Sequence, residues 1–317
     1  MIRLRVLAPP GRTEAVLDAV TGEPGATHVV VLRGAGVEPP SDVVETDVAR
    51  EAVDGLVDTL RGLGCCDDGA IVLFPLDTVI SRYADRAEEA APGEGVDAVI
   101  WDELLARTGQ DARLSVTFTV MLTIACLLGA VGVVTDSPVT VVGAMVLGPE
   151  YGPLAALAAA IVRRRAPLAR EAVTALVVGF AVALAVTTAG AALGRASGAV
   201  TDAALADLDQ TAFVYQVGPF SFVVALLAGV AGMVALLAGE GSGVLVGVFI
   251  SVTTVPAAGF AAVAAVLGAW PQALGSLLQL GVNVVGIVLA GLLVLLIAGA
   301  RGRRRTPRTR PRTRRTA

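Results

Sequence analysis

The succession of apolar and polar positions divides the chain into an N-terminal part of short periodic stretches and a long part that is almost uniformly apolar. Ile2–Ala8 alternates apolar residues with Arg3 and Arg5, the pattern of a half-buried strand. Thr13–Val20 sets Val16, Leu17 and Val20 on one helical face. His28–Leu32 and Asp42–Val48 read as strands, Arg50–Leu63 as a helix ended by Gly64, and Ala70–Phe74 as a final strand. The order βαββαβ predicts a small α+β, ferredoxin-like domain over residues 1–80. Residues 81–113 are charged and read as a loop-like linker, with a short helix in the apolar patch Val96–Leu105.

From residue 114 the polar faces disappear. Six segments, about 115–134, 138–162, 172–194, 219–238, 244–267 and 275–299, each approach the ~20 residues that cross a ~30 Å hydrocarbon core. A soluble bundle would keep polar faces on such helices. The prediction is a polytopic α-helical membrane protein, with its membrane domain over 114–300 and a disordered tail over 301–317.

Composition agrees. The 317 residues are 55% hydrophobic and 16% charged, against about a quarter charged in soluble domains. The charge is also segregated: residues 1–114 hold 10 Arg and 21 acids, whereas residues 301–317 hold 9 Arg and no acid. With six spans, the head, the 163–171 loop, the 239–243 loop and the tail share one side, which collects nearly all the basic residues outside the head. The positive-inside rule therefore puts both termini in the cytoplasm. The sole His28 reads as an ordinary strand residue, and Cys65, Cys66 and Cys126 form no metal-ligand spacing.

The apolar part resembles itself. At an offset of 104, Asp136 meets Glu240, Val142 meets Val246 and Gly143 meets Gly247; with one gap, Pro153 meets Pro256. The second span would run inward and the fifth outward, so spans 1–3 and 4–6 are expected to form a 3+3 inverted repeat. The paired spans share an interruption. Gly148-Pro149-Glu150-Tyr151-Gly152-Pro153 packs two Pro and two Gly into six residues, which predicts a broken helix. Ser251, Thr253, Thr254 and Pro256 mark a weaker break at similar depth. Unwound backbone at that depth must be buried in protein or line a polar cavity.

These breaks supply the candidate solute-binding or coupling residues: Gly148, Pro149, Glu150, Tyr151, Gly152 and Pro153 in one half, with Ser251, Thr253, Thr254, Pro256 and Asn283 in the other. A carboxyl near the midplane costs about 2.5 kcal/mol or more to insert, so Glu150 is the leading candidate. The competing reading is that Glu150 merely secures the broken helix, that Tyr151 is packing, and that the hydroxyls satisfy their own backbone. Asp136 and Ser137, before Pro138, are read as a helix cap. Gly148–Gly152 and Gly243–Gly247 also fit small-xxx-small helix packing.

Leu122-Thr-Ile-Ala-Cys-Leu-Leu-Gly-Ala-Val-Gly-Val-Val-Thr-Asp136-Ser137-Pro138, followed by Gly143-Ala-Met-Val-Leu-Gly-Pro-Glu-Tyr-Gly-Pro153, resembles the bacterial membrane proteins grouped as domain of unknown function 389. Trp101-Asp102-Glu103-Leu104 also looks like the pre-membrane segment of that family. The resemblance implies a small cytoplasmic domain ahead of a hydrophobic core in the bacterial inner membrane. It implies no activity. Members often carry an apolar residue where this chain has Glu150.

The functional expectation is a transporter or channel-like permease for a small polar solute or ion, its path running between the two breaks. The alternative is a membrane-anchored sensor or scaffold whose head binds a ligand or partner. An enzyme is not expected: the spans hold no His, and only one acid lies deep. No cofactor or metal is expected. The Arg tail is expected to meet anionic lipid headgroups rather than nucleic acid, and spans rich in Ala and Gly allow self-association.

Overall fold

The computed structural model describes residues 1–76, 78–91, 100–205, 208, 211, 214, 218–238 and 253–305. It divides into two compact units, residues 1–103 with 297–317, and residues 104–296.

The first unit is built on strands β1 (Ile2–Ala8), β2 (Ala26–Val37), β3 (Pro40–Val48) and β4 (Ala70–Pro75), with helices α1 (Thr13–Thr21) and α2 (Arg50–Gly62). The sheet order is β2-β3-β1-β4 and every neighbouring pair is antiparallel. Alternation in β1 works as the sequence pattern requires: Ile2, Leu4, Val6 and Ala8 are buried, and Arg3 and Arg5 are exposed. Leu4 and Val6 pack with Val20 of α1, Val48 of β3, and Leu56 and Leu60 of α2. On the opposite face the β1–β3 register sets Arg3 against Asp47 and Arg5 against Glu45. Both pairs close, at 2.8 Å and 2.6 Å, as opposite charges directly across a ladder do.

Three features depart from the sequence reading. β2 is longer than His28–Leu32 and its register slips twice, between Thr27 and Val30 and between Leu32 and Gly36. His28 sits in the first slip at φ +50°, so it is not an ordinary strand residue. The connector holds a helix that the reading does not foresee: α3 (Arg82–Ala90) starts at Ser81, whose hydroxyl accepts the Tyr83 N–H, while α4 (Trp101–Asp111) overlaps the short helix expected at Val96–Leu105. Ser81 is the helix cap that the reading of 81–113 overlooked.

The second unit contains α5 (Val116–Val134), α6 (Pro138–Leu147), α7 (Tyr151–Val162), α8 (Ala166–Ala196), α9 (Pro219–Ala238) and α10 (Thr254–Val266); α11 (Trp270–Arg305) begins there. α5, α8, α9 and α11 are long and apolar enough to cross a membrane, and α6 with α7 makes a fifth candidate bent by 49°. α10 is a shorter apolar helix. Against the six-span expectation, the described residues hold four or five helices of span length; the fifth segment of the sequence reading, 244–267, begins outside the described residues. The 163–171 loop is shorter than expected, because Arg163–Arg165 alone make the turn and helix resumes at Ala166. The tail is not disordered from residue 301, since α11 continues to Arg305.

Tight turns join these helices by one device. After α5, Asp136 turns left-handed at φ +44° and the Ser137 N–H donates to the Gly132 carbonyl (2.8 Å), a Schellman ending. Ser137 then caps α6, with Pro138 at the first helical position. Asp136, expected to share the cap, is displaced by this turn; its Oδ1 instead accepts the Thr211 N–H and hydroxyl at 2.9 and 2.8 Å. After α7, Arg164 takes φ +53° and the Arg165 N–H donates to Ala160 O (2.8 Å). After α10, Gly268 takes φ +77° and the Ala269 N–H donates to Ala264 O (2.9 Å). Pro167 and Pro271 follow these two turns at equivalent positions.

Asp47 is the keystone of the sheet. Its buried carboxylate accepts Arg3 Nε and Nη2 (2.8 and 3.2 Å) and His28 Nδ1 (2.9 Å). Burial alone would raise this carboxyl, but the bonds from Arg3 and His28 prevail and hold it below the ordinary aspartate value. A carboxyl held lower in the folded than in the unfolded state adds stability above its unfolded value, near pH 4, and loses it as the pH falls through the folded value. Asp47→Asn should therefore destabilise the sheet at pH 7 by about 2 kcal/mol and flatten its acid limb. Amide-exchange protection of β1 and β3, measured from pH 7 downward, checks both effects.

Candidate functional site

The interruption between α6 and α7 consists of Gly148, Pro149 and Glu150. α6 closes at Gly148, which is extended (φ −68°, ψ 123°), and Glu150 is the N-cap of α7 (φ −69°, ψ −19°). The break is narrower than residues 148–153. Tyr151, Gly152 and Pro153 form the first turn of α7, where an amide has no intrahelical partner and proline costs no ladder bond. The halves are 10 and 12 residues long, about 15 and 18 Å.

α10 begins in the same way. Thr253 is its N-cap, Thr254 and Val255 follow, and Pro256 stands third. Neither Glu150 nor Thr253 makes a side-chain cap bond to its own helix. Ser251 and Glu240 lie outside the described residues.

The two helix starts meet. The Thr254 hydroxyl donates a hydrogen bond to Glu150 Oε1. Glu150 is 7% exposed, and its Oε2 meets no hydrogen-bond partner among the described residues. That oxygen folds back over Gly148: a Cβ there would lie 2.2 Å from it and 2.8 Å from Val255 Cγ2. Only glycine leaves room for the carboxyl.

A polar chain continues from this pair. Beside Thr254, the Thr253 hydroxyl accepts Asn283 Nδ2 at 3.1 Å, and Asn283 Oδ1 accepts Gln279 Nε2 at 3.3 Å. One turn earlier on α11, the Ser276 hydroxyl donates to the Ala257 carbonyl at 2.8 Å. Gln279 Oε1 is a second buried oxygen with no partner among the described residues. The structure thus joins Glu150 to Thr254 and Thr253 to Asn283. The sequence reading missed Ser276 and Gln279. The signal was present: Gln272, Ser276, Gln279 and Asn283 recur every three or four residues, which marks one polar stripe on an otherwise apolar helix.

Glycines bring the supporting backbones close. Gly259 of α10 faces α5, where an added Cβ would lie 2.6 Å from Ala130 N and 2.7 Å from Cys126 O. Gly129 of α5 lies against Pro256, and Gly232 of α9 lies against the Tyr151 ring. Gly152 abuts Asp111 of α4. Such approaches are how small residues drive helix association where lipid gives no hydrophobic driving force. Among the described residues no three His, Cys, Asp or Glu side chains gather to hold a metal ion.

Comparison with known proteins adds one result. The family described as "Domain of unknown function (DUF389)" matches residues 145–289, a range that runs from the end of α6 into α11 and includes Glu150, Thr253, Thr254, Gln279 and Asn283. No curated protein and no solved structure matches the chain.

The crossing of α5 and α10 yields a test. Gly259→Leu forces a side chain into backbone and should lower the melting temperature in detergent by about 5 °C. Gly143→Ala, with open space around its added Cβ, should leave the temperature unchanged or raise it, since alanine favours the helix. Differential scanning fluorimetry of the two variants reads the contrast.

Proposed function

Residues 145–289 match the DUF389 family, and from that premise we propose that the chain is a membrane permease for a small polar solute or ion, its path passing the α6–α7 break and the start of α10. The observation that carries this reading is the buried Glu150 carboxyl bonded across to Thr254, where two helices begin inside an apolar unit. Polar groups at such a place are costly and commonly mark solute or ion pathways. The reading assigns no catalytic step.

We further read the second unit as a 3+3 inverted repeat. Three sets of contacts support this. Gly129 and Gly232 are 103 positions apart, as are Pro153 and Pro256, and each glycine packs on the first turn of the helix containing the other half's proline. The left-handed turns at Arg164 and Gly268, with Pro167 and Pro271 beyond them, recur 104 positions apart. α7 has 12 residues and α10 has 13, which returns the offset from 103 at the prolines to 104 at the turns. α5 and α8 run alongside each other in one direction, with Phe118 against Gly179 and Leu127 against Gly190. α9 and α11 repeat that relation, with Ala225 against Gly286 and Met233 against Gly291.

The strand order of the first unit supports a ferredoxin-like, split-βαβ head. The distribution of Arg supports cytoplasmic termini in a bacterial inner membrane and contact between the tail and anionic headgroups. A second reading, an anchored sensor or scaffold, draws on the head: His28 links the Asp47 carboxylate to Ser81 at the start of α3 (2.9 and 2.8 Å), a side-chain tie between sheet and connector.

Cysteine accessibility separates the readings without knowledge of the solute. In a chain lacking its three native cysteines, Thr253→Cys in reconstituted vesicles should react with a membrane-impermeant thiosulfonate within minutes, and Ala258→Cys, buried on α10, should stay inert. A path carries water to the first and not to the second; a dry scaffold leaves both unreactive.

A further inference from the structure

We propose that Ser81, His28 and Asp47 act as a nucleophile, its general base and the acid that orients the base, and that the head hydrolyses small carboxylic esters. The inference goes beyond the permease reading and is independent of it, since all three residues belong to the first unit.

The argument begins with which atoms can donate. Asp47 is buried, and Arg3 Nε and Nη2 donate to it and favour its ionised form. A carboxylate only accepts, so His28 Nδ1, 2.9 Å from Oδ2, carries a proton. In the neutral ring with its proton on Nδ1, Nε2 is an acceptor. The group 2.8 Å from Nε2 is the Ser81 hydroxyl, which therefore donates to it. The Ser81 oxygen also accepts the Tyr83 N–H at 3.2 Å, which fixes Oγ in place. Carboxylate, imidazole and hydroxyl thus stand in the order and at the spacing that activate a serine on several unrelated folds.

The alignment depends on tertiary structure and on irregular backbone. Asp47 and Ser81 lie 19 and 53 positions from His28 in sequence. His28 takes φ +50° inside the first register slip of β2, the kind of unfavourable backbone that clusters at functional sites. The site is open to a ligand: Ser81 is half-buried and the His28 side chain is 33% exposed. Tyr83 stands edge-on to the His28 ring, and both Tyr83 and Ile80 are exposed beside the nucleophile, which suits an apolar acyl group.

The chemistry balances with water alone. Ser81 Oγ bonds to the ester carbon as its proton passes to His28 Nε2. The bond from that carbon to the alcohol oxygen then breaks, and the alcohol leaves with the proton from His28. Water attacks the acyl-serine, gives a proton to His28, and Ser81 recovers it as the acid departs. Negative charge on the carbonyl oxygen develops next to the start of the nine-residue α3, the positive end of its dipole.

The experiment uses the full chain in detergent. A fluorophosphonate probe is added to the folded protein and to the same protein unfolded in urea, and labelled serines are located by peptide mass spectrometry. Ser81 should be labelled about a hundredfold faster in the folded chain, the scale of general-base assistance. The folded chain should also turn over p-nitrophenyl butyrate, and Ser81→Ala should abolish that turnover. His28→Gln leaves the hydroxyl and the α3 cap in place and should slow labelling and turnover by about a hundredfold. Asp47→Asn presents an amide donor to Nδ1 and moves the ring proton to Nε2, so kcat should fall with KM unchanged. Elution as a single species of unchanged size shows that each variant is folded. Equal labelling of Ser81 in the folded and unfolded chain overturns the proposal without recourse to any variant. Labelling and turnover unchanged in His28→Gln overturn it too, and leave the three side chains as a structural tie.

Discussion

Backbone amides and carbonyls that cannot reach water must find partners inside the protein, and the second unit is organised by that constraint. At its tight turns the constraint is met locally. Ser137, Arg165 and Ala269 return their N–H groups to carbonyls one turn back, and Ser137 caps the helix that follows. At the α6–α7 break it is side chains, rather than backbone groups, that pair across elements. The carboxyl of one helix start receives the hydroxyl of another, and a Thr–Asn–Gln chain extends the polar contact into α11. Prolines stand third in both helices, where no ladder bond is forfeited.

Close backbone approach is the second determinant. Cβ atoms at Gly148, Gly232 and Gly259 would each fall within 3 Å of neighbouring atoms, so the polar centre exists only because these positions lack side chains. The same glycines fix where α5, α9 and α10 cross, which couples the geometry of the break to the packing of the helices that enclose it. Fold and site are therefore one arrangement here, in contrast to enzymes whose catalytic loops decorate an indifferent scaffold.

Much of this was readable from residues alone. Period-two alternation placed β1 to within its observed bounds because one face is a core of Ile, Leu and Val and the other is a row of charges. The Gly-Pro cluster located the break, and the lone deep acid marked Glu150. What the sequence hid were effects that depend on partners. Ser81 caps α3 through a hydroxyl in a charged stretch that looks like a loop. His28 owes its left-handed backbone to a slip in the pairing of β2. Asp136 was assigned to the cap because Asp and Ser are equivalent by type, and only the left-handed turn distinguishes them. Gln279 and Ser276 escaped notice because a polar stripe on a long apolar helix is faint until its neighbour is known.

The two slips in β2 bear on solubility. β2 forms the border of its sheet, is 12 residues long, and exposes Val30, Leu32 and Val37. A flat border strand of that length invites another chain to add on by main-chain pairing, the first step toward fibrils. Local bends interrupt the straight run of donors and acceptors such an intruder would need. The irregular backbone at His28 thus doubles as protection against self-templated aggregation, in a head whose outermost strand is otherwise rich in valine.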